Sequence, residues 1–216
     1  MLRESIRCLL ALVLTLPFAA VAWGQEADPG VAQMDFANGL LQRGFHAEAA
    51  REYRAYIEKF PQGPQIPVAL YRLGECEYVS KDYEAALKAF DRFLAKGGAP
   101  DLQPRVQLRR GEILYRLKKH EEAVKALKPL SAPDAPVEVR PSALYYLGKA
   151  AYDAGSYADA RAALAELVEK HADSALAPYG RFQLAYVLLA LDEPDKAAAE
   201  FGAVAGSGAD PALRAE

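Results

Sequence analysis

Cysteine and histidine are scarce in this sequence of 216 residues, and basic residues do not outnumber acidic ones. Two cysteines and three histidines occur, and none of them clusters at the spacing of metal ligands. The formal charge is −3, whereas a nucleic-acid-binding protein needs a basic stripe to neutralise phosphates. The sequence also lacks a glycine-rich phosphate loop, a nucleophile elbow and an HExxH pattern. We therefore expect no enzyme, no cofactor, no metal and no nucleic-acid partner.

Long apolar runs are absent except at the N-terminus. The run 8–22 is uncharged and follows Arg3 and Arg7, but a membrane-spanning helix needs about 20 apolar residues. Small residues then allow cleavage after Ala22 or Gly24. The first 24 residues are thus predicted to be a cleaved signal peptide, with a retained membrane anchor as the alternative. No lipobox is present, so we expect a periplasmic or secreted protein without a membrane span after cleavage.

The remaining cysteine and the histidines are predicted to have structural roles. Cys76 falls on a helical apolar stripe, where a small buried residue is typical. His46 and His120 stand at the same position of a 37-residue repeat as Tyr83 and Tyr157. This equivalence favours a packing role over a catalytic one.

The main signal is a self-similarity with a period of 37 residues. A column of small residues keeps this step: Ala37, Gly74, Gly111, Gly148 and Ala185. A second small column does the same: Ala49, Ala86, Ala123, Ala160 and Ala197. A bulky column and a proline column follow in the same register: Tyr53, Phe90, Leu127, Leu164 and Phe201, and Pro67, Pro104, Pro141 and Pro178.

These columns predict helical hairpins. Proline is tolerated at the first helical position and marks the start of one helix, and small residues allow two helices to approach closely. Apolar residues recur at three and four positions, and no segment alternates with period two, so strands are not expected. We predict an all-α solenoid over residues 25–208, with residues 209–216 as the start of a further repeat or a truncated end. Five repeats are placed near 30–66, 67–103, 104–140, 141–177 and 178–208.

Two segments carry a family resemblance. Leu73-Gly74 followed by Tyr83, Ala86 and Phe90 resembles the tetratricopeptide repeat pattern, as does Leu147-Gly148 followed by Tyr157, Ala160 and Leu164. The resemblance implies a right-handed superhelical solenoid of about five helix-turn-helix repeats. Repeats of that family usually have about 34 residues, and we place the additional residues between hairpins. The sequence is also similar to envelope proteins of this family, namely the Tol–Pal accessory and outer-membrane barrel-assembly proteins.

The resemblance further implies a binding groove. In the family, the first helix of each repeat, helix A, lines the concave surface, and its groove-facing positions share one helical face. Carried over to this sequence, they give these candidate groove residues: Tyr71, Tyr78, Leu108, Glu112, Tyr115, Tyr145, Lys149, Tyr152, Phe182 and Tyr186. Tyrosine is enriched at protein interfaces. Packing of these rings between repeats is the alternative.

The function expected from the sequence is that of an exported scaffold, which binds a protein or peptide segment during envelope assembly or maintenance. Two alternatives stay open. In the first, the chain is a permanent structural subunit of an outer-membrane assembly or secretion complex. In the second, it is the regulatory N-terminal arm of a longer protein. The sequence indicates neither the partner nor the oligomeric state.

Overall fold

The computed structural model of the chain describes residues 28–206, which form ten α-helices and contain no strand. The helices pair into five hairpins, each with a helix A followed by a helix B. The A helices are α1 (Pro29–Gln42), α3 (Ile66–Val79), α5 (Gln103–Arg116), α7 (Arg140–Asp153) and α9 (Ala177–Ala190). The B helices are α2 (His46–Lys59), α4 (Tyr83–Lys96), α6 (His120–Leu127), α8 (Tyr157–Lys170) and α10 (Pro194–Gly206). The predicted signal peptide and residues 209–216 lie outside the described residues.

The helix boundaries follow the predicted period. Every A helix has 14 residues, and each one starts 37 residues after the previous one. The four prolines of the repeat stand in the first turn of an A helix, where a missing N–H costs no hydrogen bond. Turns inside hairpins are short, whereas the connections between hairpins are longer, as at 60–65 and 132–139. The additional residues therefore lie between hairpins, in agreement with the prediction.

Each hairpin turn contains one residue in the left-handed region, which satisfies the last carbonyls of helix A. This residue recurs at the repeat step: Gly44 (φ 80°), Lys81 (φ 64°), Lys118 (φ 59°), Gly155 (φ 76°) and Asp192 (φ 60°). In the second turn, Lys81 N–H donates to the Tyr78 carbonyl at 3.0 Å and Asp82 N–H donates to the Glu77 carbonyl at 3.0 Å. The same closure in all five turns fixes the angle at which helix B leaves helix A.

The glycine column of the A helices packs against the bulky column of the B helices. A Cβ atom at Gly74 would lie 2.6 Å from Phe90 Cε1. At Gly148 it would lie 2.4 Å from Leu164 Cγ, and Gly111 meets Leu127 in the same way. Carbon atoms in contact prefer about 3.5–4.0 Å. Glycine is therefore favoured at these three positions, because the partner side chain occupies the space of a methyl group.

The third hairpin departs from the pattern in its B helix. Helix α6 has 8 residues and continues as a 3₁₀ turn at Lys128–Ser131, whereas α2, α4 and α8 have 14 residues each. Pro129 lies where those helices continue, and proline in a helix interior removes a hydrogen bond and clashes with the preceding turn. The outer layer of the array is interrupted at this hairpin.

The A helices form the inner side of the array. Helix α7 contacts both α5 and α9 directly, and no two B helices in the described part of the chain pack against each other to that extent. Stacked hairpins whose A helices are closer together curve with those helices inside. The candidate groove residues, which belong to the A helices, are therefore expected on this inner surface.

Candidate functional site on the inner surface

Polar side chains connect successive A helices along the inner surface. Arg109 donates to both carboxylate oxygens of Glu75, from Nε at 3.0 Å and from Nη2 at 3.2 Å. Tyr78 donates to Glu112, and Glu112 accepts from Tyr146. All three pairs are 34 residues apart, which is about one helical turn less than the repeat. In each pair, the residue on the later helix lies about one turn before the repeat equivalent of its partner. These contacts link α3 to α5 and α5 to α7.

Glu112 is the centre of this arrangement. Its side chain is only 5% exposed, and its carboxylate is bonded within the chain, so its contact with a partner stays a prediction. It accepts hydrogen bonds from Tyr146 Oη at 2.8 Å, Arg109 Nη1 at 2.7 Å and Arg116 Nη2 at 2.9 Å, and from Tyr78. Burial alone would raise the pKa of Glu112, but these hydrogen bonds and the charge of Arg109 hold it below its usual value. We call Glu112 with its four donors and Glu75 the Glu112 network.

The tyrosines four positions after the Gly/Ala column pack inside their own hairpins. Each ring lies against the first residue of the following helix B, with centroid distances of 5.7 Å for Tyr78–Tyr83, 5.7 Å for Tyr115–His120 and 5.6 Å for Tyr152–Tyr157. The packing role predicted for His120 is confirmed by this contact. Burial raises the pKa of Tyr115 to about 12, which is consistent with a ring that is partly withdrawn from water. These tyrosines therefore stabilise the array, and their contact with a partner stays a prediction.

Lys149 lies beside two tyrosine rings of the A helices. Its Nζ lies 5.2 Å from the ring centroid of Tyr115 and 5.4 Å from that of Tyr145. Burial lowers the pKa of Lys149, Asp153 opposes this shift, and the charge of Arg116 adds to it. The ammonium group is thus occupied within the chain.

The last two candidates form an aromatic cluster in the fifth hairpin. Phe182 and Tyr186 lie 5.2 Å apart and contact Phe201 at 5.6 Å and 5.4 Å between ring centroids. Tyr186 is still 37% exposed, and nearby Leu189 is 47% exposed. This end of the inner surface retains accessible apolar area.

A cleft of about 370 Å³ opens at the N-terminal halves of α5 and α7. Of the candidate residues, it brings together Tyr71 and Leu108 at its wall and reaches Glu112. Residues outside the candidate set also line it, namely Arg105, Ser142, Tyr146 and Leu176. The other candidates lie elsewhere on the A helices. A volume of this size accommodates one or two side chains of a bound segment.

The charges beside the cleft are largely neutralised. Arg109 and Arg116 are both paired with Glu112 in the network, which removes most of the basic character that the arginines of α5 suggest. Arg105 and Glu138 are exposed at the cleft and have opposite charges. The cleft therefore combines apolar walls with a few polar groups, which is the usual composition of a site that recognises a segment of another molecule.

Two further features concern residues 28–206. None of the helices in that stretch combines the length and apolarity that a membrane crossing requires. The same stretch brings no group of three His, Cys, Asp or Glu side chains into an arrangement able to hold a metal ion. Cys76 is buried, as its position on the apolar stripe predicts, and burial raises the pKa of its thiol to about 11.

Comparison with family models identifies the repeat. Two models described as tetratricopeptide repeat match residues 34–101 and 82–135 in one case and 142–174 in the other, together more than half of the 216 residues. The chain belongs to the tetratricopeptide repeat family. A comparison with curated protein sequences found no match.

Solved structures support the tetratricopeptide repeat fold. MamA from Desulfovibrio magneticus RS-1 is 21% identical, with a TM-score of 0.70 over 82% of this chain and 93% of that one. YrrB, described as a TPR protein with an unusual peptide-binding site, is 18% identical, with a TM-score of 0.70 over 85% and 89%. PilF from Pseudomonas aeruginosa is 22% identical, with a TM-score of 0.63 over 85% and 79%. At these identities the likeness shows the fold alone, and the predicted all-helical repeat superhelix is confirmed.

Proposed function

We propose that the chain is an exported scaffold that binds a segment of a partner protein in the inner cleft, during assembly or maintenance of the cell envelope. The observation that carries the proposal is the cleft between α5 and α7, because it joins apolar walls to polar groups on a preformed surface. The family and its peptide-binding member YrrB support a protein or peptide as the ligand. Export is supported by the N-terminal apolar run after Arg3 and Arg7. The absence of enzymatic activity stays a prediction.

The cleft specifies where on the inner surface a bound segment would lie. A bound segment would place an apolar side chain between Tyr71 and Leu108, both half-buried, and would meet Arg105 and Glu138 at the entrance. Buried anchors of this kind carry most of the affinity at protein interfaces. The Glu112 network fixes the helices on both sides, so little conformational entropy is lost when the segment binds.

The test is to fill the cleft without disturbing the core. Ser142→Arg places a long side chain in the cleft from the first turn of α7, where Ser142 is half-buried. Ser80→Arg makes the same change at an exposed turn residue and is the matched control. Each variant is used as bait in an envelope extract, and captured proteins are quantified by mass spectrometry. We expect Ser142→Arg to reduce capture of a specific partner about tenfold or more, with the melting temperature of both variants unchanged. Equal capture by the two variants would remove the cleft as the binding site.

A second candidate function is favoured by the exposed face of α1. Phe36 is 58% exposed, whereas Leu73 and Leu147 at the same repeat position are 6% exposed. Ala32 is also exposed, although its repeat equivalents are buried completely: Ala69, Val106 and Ala143. This face supports a permanent subunit that docks through its first hairpin. Such a subunit would co-purify at fixed stoichiometry, and Phe36→Ser would release it while Ser142→Arg would not.

A further inference from the structure

A second opening lies on the outer surface, on the B-helix side of the array. A cleft of about 600 Å³ follows α4 and reaches the turn between α5 and α6. Leu87 and Leu117 are half-buried in its lining, and Ala95 is exposed there. None of these residues belongs to the inner cleft, so the two openings are separate.

The cleft runs along α4, whose counterpart in the next hairpin, α6, is shorter. The second half of α4, from Asp91 to Lys96, corresponds by the repeat to residues 128–133, which follow the end of α6. Pro129 lies in the 3₁₀ turn Lys128–Ser131 that follows α6. Helices α2, α4 and α8 have 14 residues each, whereas α6 ends at Leu127 after 8 residues.

The charges in the lining are unbalanced once internal pairs are considered. Asp91 Oδ1 accepts a hydrogen bond from Arg110 Nε at 2.6 Å, so its charge is compensated within the chain. Glu84, exposed in the first turn of α4, is the one acid of the lining without an ion-pair partner among the described residues. Three exposed cations in the lining have no ion-pair partner among the described residues: Lys88, Arg92 and Lys119.

We propose that this outer cleft binds an acidic segment of a partner protein that inserts an apolar side chain beside Leu87 and Leu117. The cations attract the segment and select against basic ones, and the apolar lining anchors it. A chain with one site on each surface can hold two protein segments at the same time. This function goes beyond binding in the inner cleft, because it allows the scaffold to bring two partners together.

The experiment uses short fluorescein-labelled peptides and fluorescence anisotropy. The probe has glutamates on both sides of two central leucines. One comparison peptide replaces the glutamates with glutamine, and another replaces the leucines with serine. We expect the probe to bind the wild-type chain at low ionic strength, to bind more weakly at about 0.3 M salt, and to bind better than either comparison peptide.

Charge reversal then locates the site. Lys88→Glu combined with Arg92→Glu should weaken probe binding about tenfold or more. The control combines Arg51→Glu with Lys125→Glu, which makes the same charge change at exposed positions of α2 and α6 outside the cleft. It should bind the probe within about twofold of the wild type. Ser142→Arg should also leave probe binding unchanged, so failure of the inner site and failure of this one are distinguishable.

Four outcomes would overturn the proposal. One is no binding of the probe by the wild-type chain, and another is equal binding of the glutamine peptide. The third is equal weakening by the two double variants, which indicates attraction to overall charge instead of a site. Tighter binding of oligothymidylate than of the probe would also overturn it, because the cations would then recognise phosphates.

Discussion

Adding one methyl group at Gly148 tests the contact that sets the distance between the two helix layers. The new Cβ would lie 2.4 Å from Leu164 Cγ and 2.6 Å from its Cδ2, about 1 Å inside ordinary contact. Overpacking of this kind costs about 1–3 kcal/mol. In a helix interior, alanine is more stabilising than glycine by about 1 kcal/mol. We therefore expect Gly148→Ala to lower the free energy of unfolding by up to about 2 kcal/mol.

A matched variant should show the opposite sign. Gly39 and Gly202 also lie inside helices, but a Cβ atom at either position meets no atom within 4 Å. Gly39→Ala should therefore gain the helix propensity without a clash and raise the stability by up to about 1 kcal/mol. For a chain of this size, 1 kcal/mol corresponds to about 2–4 °C in melting temperature. Thermal and urea unfolding followed by circular dichroism at 222 nm resolve this difference.

The clash can be relieved to confirm its source. Leu164→Ala removes the atoms that Gly148→Ala would meet, at a cost of about 2–5 kcal/mol for the cavity. In that background, Gly148→Ala should become neutral or stabilising, and the double-mutant cycle should show favourable coupling. The reasoning is refuted if Gly148→Ala and Gly39→Ala shift the melting temperature equally. It is also refuted if Leu164→Ala does not change the effect of Gly148→Ala.

Three other predictions concern the network, the turn stacking and export. Because the folded chain holds the pKa of Glu112 below its unfolded value of 4.5, its stabilisation is present above that pH and is lost as the pH falls through the folded pKa. The free energy of unfolding, measured with urea, should fall less steeply between about pH 5 and pH 3 in Glu112→Gln than in the wild type. Glu58→Gln, at an exposed position, should leave this fall unchanged. Tyr115→Ala should lower stability by about 2–4 kcal/mol, with a coupling to His120→Ala of about 0.5–1.5 kcal/mol in a double-mutant cycle; additive losses would contradict the stacking. The mature protein should begin at Trp23 or Gln25 by intact mass, and a mass that retains Met1 would contradict cleavage.

The helical repeat could be predicted from the sequence because its causes are local. A proline in the first turn of helix A and a small residue seven positions later recur in four hairpins. The spacing from Gly148 to Leu164 already places the small residue and its bulky neighbour on facing helices of one hairpin. Even the short α6 has a visible signal in Pro129.

The candidate site was harder to predict, because helical face alone does not distinguish a groove residue from a packing residue. Tyr78, Tyr115 and Tyr152 share the predicted face, yet each ring turns toward the residue five positions later. That residue is Tyr83, His120 or Tyr157, so a search for paired aromatic columns could have found the contact. Glu112 gave no such signal. Its burial depends on Tyr146 and Arg109, and the 34-residue pairing appears only when the stacking angle of the hairpins is known.

The polar contacts and the inner cleft are consequences of the same stacking. Helix α7 packs on α5 with an offset of about one helical turn, which brings Tyr146 into hydrogen-bond contact with Glu112. The same offset leaves space between Leu108 and Ser142 at the N-terminal halves of the two helices. A buried carboxylate with four donors tolerates little displacement, because each lost hydrogen bond leaves a desolvated polar group. The network therefore holds α5 and α7 at a fixed separation, and the cleft between them keeps its shape before any partner arrives. A preformed cleft favours a specific apolar anchor over a range of loosely fitting ones, since a wrong side chain cannot be accommodated by moving the helices.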